Sequence, residues 1–447
     1  MAAADAFVDI GFFEHGYRSF HLDDCWAGGR NETGYLYGET DHFPNGMKKV
    51  VDYVHSKGMA FGLYTCGGTH TCVGGRPGSK DHWQQDADVF AEWGVDWVKM
   101  DWCNSQGEEP ASTYPLMSKA MNASGRHMHF NMCEWGKDNP WEWGPKVAQS
   151  WRMSGDHTPV WSSTKSQIQS TMAIPAQYTG QAYGWNDMDM LETGNYAQAA
   201  HANGKEGTMT ALEYKTEFSM WAIAASPLVV TTPIMNCTSK GGKPVSQCSV
   251  DLVKKESIAS CVKGVSYGCD AATGSMWTAD GCRGSFTCNG IATSCNIDGD
   301  GNHTCPCVQP GPVNCTATLS DLQKEILFND DIIAINQDVT PQGRPIVTGN
   351  STIWARFLTN GTVAVAFYNE EDAAISLKLD FAQLAKMVPL PVPSAANWGP
   401  STKAVARDLW AHEVVGTVTG GFPATGTVAV APHEAKVFSF TPVQSAQ

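Results

Sequence analysis

At 447 residues the chain is longer than one ordinary hydrophobic core supports, so about two or three domains are expected. With 42% hydrophobic residues, 44 Gly, 23 Pro and 16 Trp, it is composed like a loop-rich globular protein, which excludes a disordered or fibrous chain. A formal charge of −15 argues against nucleic acid or anionic membranes as partners, and no stretch is long and apolar enough to span a bilayer. Many Trp and few basic residues suit a neutral polar ligand with apolar faces, such as a sugar.

The first 235 residues alternate helical and strand patterns. "AAADAFVDIGFFEHG" predicts a helix and "YRSFHLDDCW" a strand ending in acids. In "MKKVVDYVHSKG", Met47, Val50, Val51 and Val54 fall at helical spacing, and Gly58 is placed to stop the helix. The strand "MAFGLYT", the helix "SKDHWQQDADVFAEWG" and the strand "VDWVKMD" follow. "HMHFNMCE", "SWRMSGD", "GWNDMDML" and "SPLVVTT" read as further strands, the last preceded by the helix "TALEYKTEFSMWAIAA". Repeated β-α units argue a parallel sheet covered by helices, and seven strands are close to the eight of a (β/α)8 barrel.

Ten of the fifteen cysteines fall between Cys237 and Cys315, the pattern of a disulfide scaffold in an oxidising compartment. Seven N-x-S/T sequons, at Asn31, Asn122, Asn236, Asn302, Asn314, Asn350 and Asn360, agree with export. A helix, "LSDLQKEILFND", follows that segment. From about Gly343 short alternating strands such as "STIWARFL", "GTVAVAFYN", "AAISLKLDF" and "TVAVAPHEAKVFSFTP" predict an antiparallel β-sandwich. The expected division is a barrel over 1–236 and 316–342, a Cys-rich insertion over 237–315, and a sandwich over 343–447.

Polar residues gather at the strand ends: Asp23 and Asp24, Tyr64, Lys99 and Asp101, Glu134, Asp156, Asp187 and Asp189. In (β/α)8 barrels that rim carries the chemistry. In "VKMDWC" the two-residue period puts Lys99 and Asp101 on one face, and an ion pair on an inward face invites a functional reading. Two carboxylates, one ionised and one protonated, suit glycoside hydrolysis. Asp101 is the candidate nucleophile, kept ionised by Lys99, and Asp156 the candidate acid, its pKa expected to be raised by burial or a neighbouring carboxylate. An acidic rim of Asp23, Asp24, Asp187 and Asp189 equally suits Mg²⁺ or Ca²⁺, although cationic Lys99 and Arg152 on the same rim oppose a metal.

"HLDDCW", "FGLYTCGGTHTC", "WVKMDWC", "MCEWG", "WRMSGD" and "WNDMDML", in that order, resemble glycoside hydrolase family 27 of clan D, the α-galactosidases and α-N-acetylgalactosaminidases. The resemblance spans about residues 2–235 and resumes from about Leu319, with "IIAINQD" and "VARDLWAHEVVG". It implies a TIM-type barrel, a retaining exo-glycosidase acting on terminal α-linked galactose, and no cofactor or metal. It gives Asp101 as nucleophile and Asp156 as acid/base. Asp23 and Asp24 match the pair holding the 4- and 6-hydroxyls, and Lys99, Arg152 and Asp189 match donors and acceptors to the other hydroxyls. Tyr64 and Met190 match walls, and Cys72 and Cys103 match a disulfide stapling two rim loops. Bulky Cys133, Glu134 and Trp135 in "CEWG" resemble plant-type α-galactosidases and leave no room for a 2-acetamido group. The two rival expectations are α-N-acetylgalactosaminidase and a silent galactose-binding protein; a homodimer is left open.

Two departures stand out. The family opens with a strand carrying a "GWNSW"-like segment that this chain lacks, so a barrel with its first strand missing and Cys25 without its usual partner is expected. "MAAADAFVDIGFFEHGY" is no signal peptide, having no basic start and carrying Asp5, Asp9 and Glu14. A secreted or vacuolar/lysosomal protein with its signal upstream of this start is the resulting expectation.

Overall fold

Short apolar runs bounded by glycines and helix-forming segments build a parallel sheet in which each strand is followed by a helix. The computed structural model describes residues 1–73, 75–179, 184–195, 209–239, 249–257, 259–270, 275–288, 291–295, 303–306, 313–347, 350–387 and 392–443. Its first sheet has six strands: β1 (Ser19–Leu22), β2 (Ala60–Cys66), β3 (Trp97–Asp101), β4 (His129–Cys133), β5 (Ser150–Arg152) and β6 (Trp185–Asp187). They pair in chain order and all in parallel. Helices α1 (Ala2–Ile10), α2 (Met47–Ser56), α3 (Trp83–Trp93), α4 (Pro110–Ala123), α5 (Trp161–Ala173) and α6 (Ala211–Ile223) alternate with them, except that between β4 and β5 the chain makes only short turns of helix at Pro140–Trp143 and Gly144–Lys146.

The helices bury the faces that their spacing marks. In α2, Met47, Val51 and Val54 are buried, each contributing about 1.5–3 kcal/mol. The chain leaves α2 through Gly58, whose φ of +79° suits a residue without a Cβ. Along β3, Val98 and Met100 are wholly buried toward the helices, so Lys99 and Asp101 take the inward face. Gly62 is required beside them: a Cβ there would stand 2.5 Å from the His21 ring on β1.

"SPLVVTT" does not form a strand of this sheet. It is reduced to one parallel bridge, Leu191 to Val230, with N–H groups of Leu191 and Thr231 bonding across. Two prolines, Pro227 and Pro233, flank the run. Among the described residues nothing pairs with the outer edge of β1 either. A cavity of about 620 Å³ therefore lies between β1 and residues 228–230, lined along its length by Phe7, Phe20, Leu22, Leu63, Leu228 and Val230 among others. The expected barrel is present with an open seam.

After the barrel, helices α7 (Asp321–Leu327) and α8 (Asp330–Gln337) lead to a second sheet. Its strands are β7 (Arg344–Val347), β8 (Asn350–Phe357), β9 (Val363–Tyr368), β10 (Lys403–Asp408), β11 (Glu413–Thr419) and β12 (Ala435–Pro442), in the order β7-β8-β9-β12-β10-β11, all antiparallel. Smaller strand pairs, Ile375–Leu377 with Val428–Val430 and Leu379–Asp380 with Gly421–Phe422, complete the sandwich, whose core includes Phe357, Phe367, Phe381 and Phe440. Arg356 is buried where this sheet meets the barrel and donates to the carbonyls of Ala222, Ile335, Asn336, Asp338 and Thr340. Replacing it by Met should cost about 3 kcal/mol or more in urea unfolding, because several buried carbonyls lose their donor. A loss below about 1 kcal/mol would show that water replaces it.

By contact density, Met235–Ala317 is a separate unit from Met1–Ile234 and Thr318–Gln447. It is built of short antiparallel strands around a small core of Val250, Tyr267, Met276 and Phe286, with disulfides Cys261–Cys282 and Cys295–Cys305. Cys248, Cys307 and the sequon residue Asn302 lie outside the described residues.

Candidate active site

The strand register brings the polar ends into layers. Tyr64 lies beside Lys99, and Lys99 beside Asn131, while Asp101 sits one layer higher between Cys66 and Cys133. Asp101 is buried. Its Oδ1 accepts from the Trp102 N–H at 2.8 Å and its Oδ2 from the Tyr64 hydroxyl at 3.1 Å. Burial raises its pKa, opposed by Lys99, by the Trp102 N–H and by the Tyr64 hydroxyl, and aided by the charge of Asp156. Lys99 thus favours the ionised form of Asp101, while desolvation, the larger influence, works against it.

Lys99 instead bonds across the sheet to Asp23, Nζ to Oδ2 at 2.8 Å, with its ammonium 5.3 Å from the centre of the Tyr64 ring. Burial works against its charge, yet Cys133, Asp23 and Asp101 together hold the ammonium above its ordinary range. Asp24 turns away from this pair. Its Oδ1 accepts from the Cys25 N–H and its Oδ2 from the Val73 N–H, tying the end of β1 to the loop that carries Cys72. Cys72 and Cys103 form a disulfide that joins this loop to the one following Asp101, and Cys25, Cys66 and Cys133 are free thiols.

On the other flank, Arg152 is almost wholly buried and bonds to Asp189 at 2.9 Å and Asp156 at 3.1 Å, with Nη1 3.6 Å from Cys133 Sγ. Asp189 also accepts from the His157 N–H at 2.7 Å. Asp187 accepts from Asn131 at 2.9 Å, and burial raises its pKa. Asp156 differs from expectation: its side chain is 74% exposed and paired with Arg152, not buried. It stands on the short loop "SGDHTP", which lifts it above the sheet. Glu134 is the reverse. It has no exposed surface, neither carboxylate oxygen has a hydrogen-bond partner among the described residues, and burial pushes its pKa well up. The structure thus places Glu134 behind the wall, Cys133 within it and Trp135 exposed on the rim.

Strain gathers on the same rim. Cys25, Asn104, Trp135 and Asp189, each just past a strand end, have φ between 52° and 81° without being glycine. Gly136 takes φ +80° where a Cβ would lie 2.3 Å from the Met153 carbonyl, so the loops bearing Trp135 and Asp156 touch backbone to backbone. The seam cavity reaches the rim at Asp23, Lys99, Asp189 and Met190, and includes Asn131 and Asp187. Asp101 and Asp156 lie outside its lining, because the cavity is mainly the unfilled slot beside β1. Asn131 was not singled out in the sequence; it sits inward two residues before Cys133, and the same period-2 argument that found Lys99 locates it. The metal alternative gains no geometry: the one potential ligand cluster among the described residues is Cys72, Asp101 and Cys103, whose sulfurs are bonded to each other.

The family profile described as "Alpha galactosidase A" matches residues 1–250, and that of the "Alpha galactosidase C-terminal beta sandwich domain" matches residues 348–440. An alpha-galactosidase of Oryza sativa subsp. japonica is 31% identical over 98% of this chain and 79% of its own length. An alpha-galactosidase of Coffea arabica is 34% identical over 98% and 88%. The crystal structure of alpha-galactosidase I from Mortierella vinacea shares the fold with a TM-score of 0.70 and 24% identity, over 99% of this chain and 92% of that one. Fold and rim thus define a barrel glycoside hydrolase with a C-terminal β-sandwich. The chain belongs to glycoside hydrolase family 27, among the alpha-galactosidases. No helix among the described residues is long and apolar enough to cross a membrane.

Proposed function

We infer that this chain is a retaining exo-α-galactosidase in which Asp101 is the nucleophile and Asp156 the acid and then the base. One observation carries the reading. The Asp101 carboxylate points inward at the end of β3, gripped by two donors and facing Lys99, with the charge of Asp156 acting on it. In the first step an Asp101 oxygen bonds to the anomeric carbon while the glycosidic bond breaks, and the Asp156 proton passes to the leaving oxygen. In the second, Asp156 takes a proton from water, the water oxygen bonds to that carbon, and the bond to Asp101 breaks. Such a relay requires the two carboxyls about 5–5.5 Å apart. Asp156 is mostly exposed, so in this mechanism bound substrate must shield it.

In this reading Asp23, Lys99, Arg152 and Asp189 meet the sugar hydroxyls, with Tyr64 and Met190 as apolar faces, and Asp24, bonded to the Cys25 and Val73 N–H groups, offers its remaining lone pairs. The wall made by Cys133 and backed by Glu134 leaves no space for a 2-acetamido group, which supports galactosides, whether oligosaccharides, glycolipids or galactomannans, as substrates. Turnover of p-nitrophenyl α-galactoside should exceed that of the matching N-acetylgalactosaminide by on the order of 100-fold or more, since a buried clash is costly. A reversed preference would move the chain to the α-N-acetylgalactosaminidases; galactose binding without turnover would make it a silent binder. The disulfides and the exposed sequon residues Asn31 and Asn360 support an exported glycoprotein.

A further inference from the structure

Asp156 stands on an exposed loop, yet the next residue is among the most enclosed in the molecule. The His157 ring has no exposed side-chain surface, and neither has its partner Glu217 on α6. Nε2 lies 2.9 Å from Glu217 Oε1, and Nδ1 lies 2.9 Å from Ser163 Oγ on α5. The Ser163 oxygen also accepts from the Thr158 N–H at 3.0 Å, so one hydroxyl holds both the ring and the backbone beside it. Because Glu217 also receives a backbone N–H and a hydroxyl, Nε2 is assigned as the donor to it from the network. Glu217 in turn accepts from the Glu192 N–H at 2.9 Å and the Thr193 hydroxyl at 3.2 Å, while the His157 backbone N–H holds Asp189. The ring also packs 5.2 Å from Trp221, whose indole N–H bonds the Asp189 carbonyl. On the other side of Asp156, Gln167 of α5 bonds Ser154 and the Gly155 carbonyl.

We propose that His157 is a positioning residue for the acid/base. Its buried imidazole ties the Asp156 loop to α5 and α6 and, through Glu217, to the loop carrying Asp189. Among the described residues the side chain of Asp156 has one charged anchor, Arg152, and its backbone takes its place from the flanking buried contacts. Glu217 and Trp221 are four residues apart on one face of α6, so a single helix face clamps both rim loops. Without the ring, the loop keeps the Gln167 contact but can swing about it, and Asp156 loses its fixed approach to the leaving oxygen. A displacement of about 1 Å at such a group costs on the order of 100-fold in rate.

The inference rests on Asp156 being the acid/base, and the experiment separates the two. For His157→Phe, kcat/KM on an alkyl α-galactoside, whose leaving group needs a proton, should fall on the order of 100-fold. On 2,4-dinitrophenyl α-galactoside, whose leaving group needs none, it should fall less than about 5-fold. His157→Gln, which keeps a donor for Glu217, should recover most of the alkyl-galactoside activity. Equal losses on both substrates, or none, would overturn the positioning role, since a merely structural residue does not discriminate leaving groups. Asp156→Ala is run in parallel: if it too lacks the discrimination, the acid/base assignment fails; if it alone shows it, only the role of His157 fails. Should His157→Phe not fold, Ser163→Ala keeps the Glu217 bond and loses those to Nδ1 and the Thr158 N–H, and should show the same discrimination at about 5-fold or more; its absence counts against the proposal.

Discussion

Asp101→Asn should lower kcat on p-nitrophenyl α-galactoside by on the order of 10⁴-fold or more, because no covalent intermediate can form without the carboxylate. The fold should persist. Asparagine keeps an oxygen for the Trp102 N–H, and removing a buried charge relieves desolvation rather than creating it. Galactose affinity by calorimetry should stay within about tenfold, which separates lost chemistry from a lost site. Residual turnover within tenfold of the parent would sink the assignment. Because burial raises the Asp101 pKa, the acid limb of kcat/KM should lie above the ordinary aspartate value: activity is present while Asp101 is ionised and is lost as the pH falls through its pKa.

The second large effect is expected at Asp156. Asp156→Ala should reduce kcat/KM for an alkyl α-galactoside by about 10²–10⁴-fold and that for the dinitrophenyl galactoside far less. Turnover of the activated substrate should then be limited by hydrolysis of the glycosyl-enzyme, and added azide, a nucleophile that needs no base, should accelerate it. The residue is mostly exposed, so the thermal midpoint should barely move. An unchanged ratio between the two substrates would remove Asp156 from the mechanism.

Much of this site was legible because strands have a period of two. "VKMD" announces which residues face inward, and "WRMSGD" likewise puts Arg152 inward. What a linear pattern cannot carry is which strand lies next to which at what height. Lys99 reaches Asp23, just past the end of β1, rather than Asp101 two residues away, a result of register and twist. The burial of Glu134 goes with the positive φ of the next residue, which sequence does not announce at Trp135, and the exposure of Asp156 with a loop whose course the strand period does not reach. The pair β10 and β11 escaped notice because its outward faces are not cleanly polar: Val414 and Val415 are exposed, which blurs the alternation. "SPLVVTT" has strand composition, but composition does not supply a partner, and among the described residues only Leu191 pairs with it. His157 was passed over since a histidine inside an acidic motif carries no signal until Glu217, 60 residues on, is folded against it.

The gap between β1 and residues 228–230 has a mechanical consequence. A closed hoop spreads a load in both directions, whereas a hoop cut at one point can pass it only the long way round. Among the described residues, Asp23 stands on one lip of the cut and Asp189 near the other, with the six strands of the sheet between them. A hexose gripped by both lips would bridge the cut like a clasp, so that the shell stiffens the sugar's seat only as far as the sugar stiffens the shell.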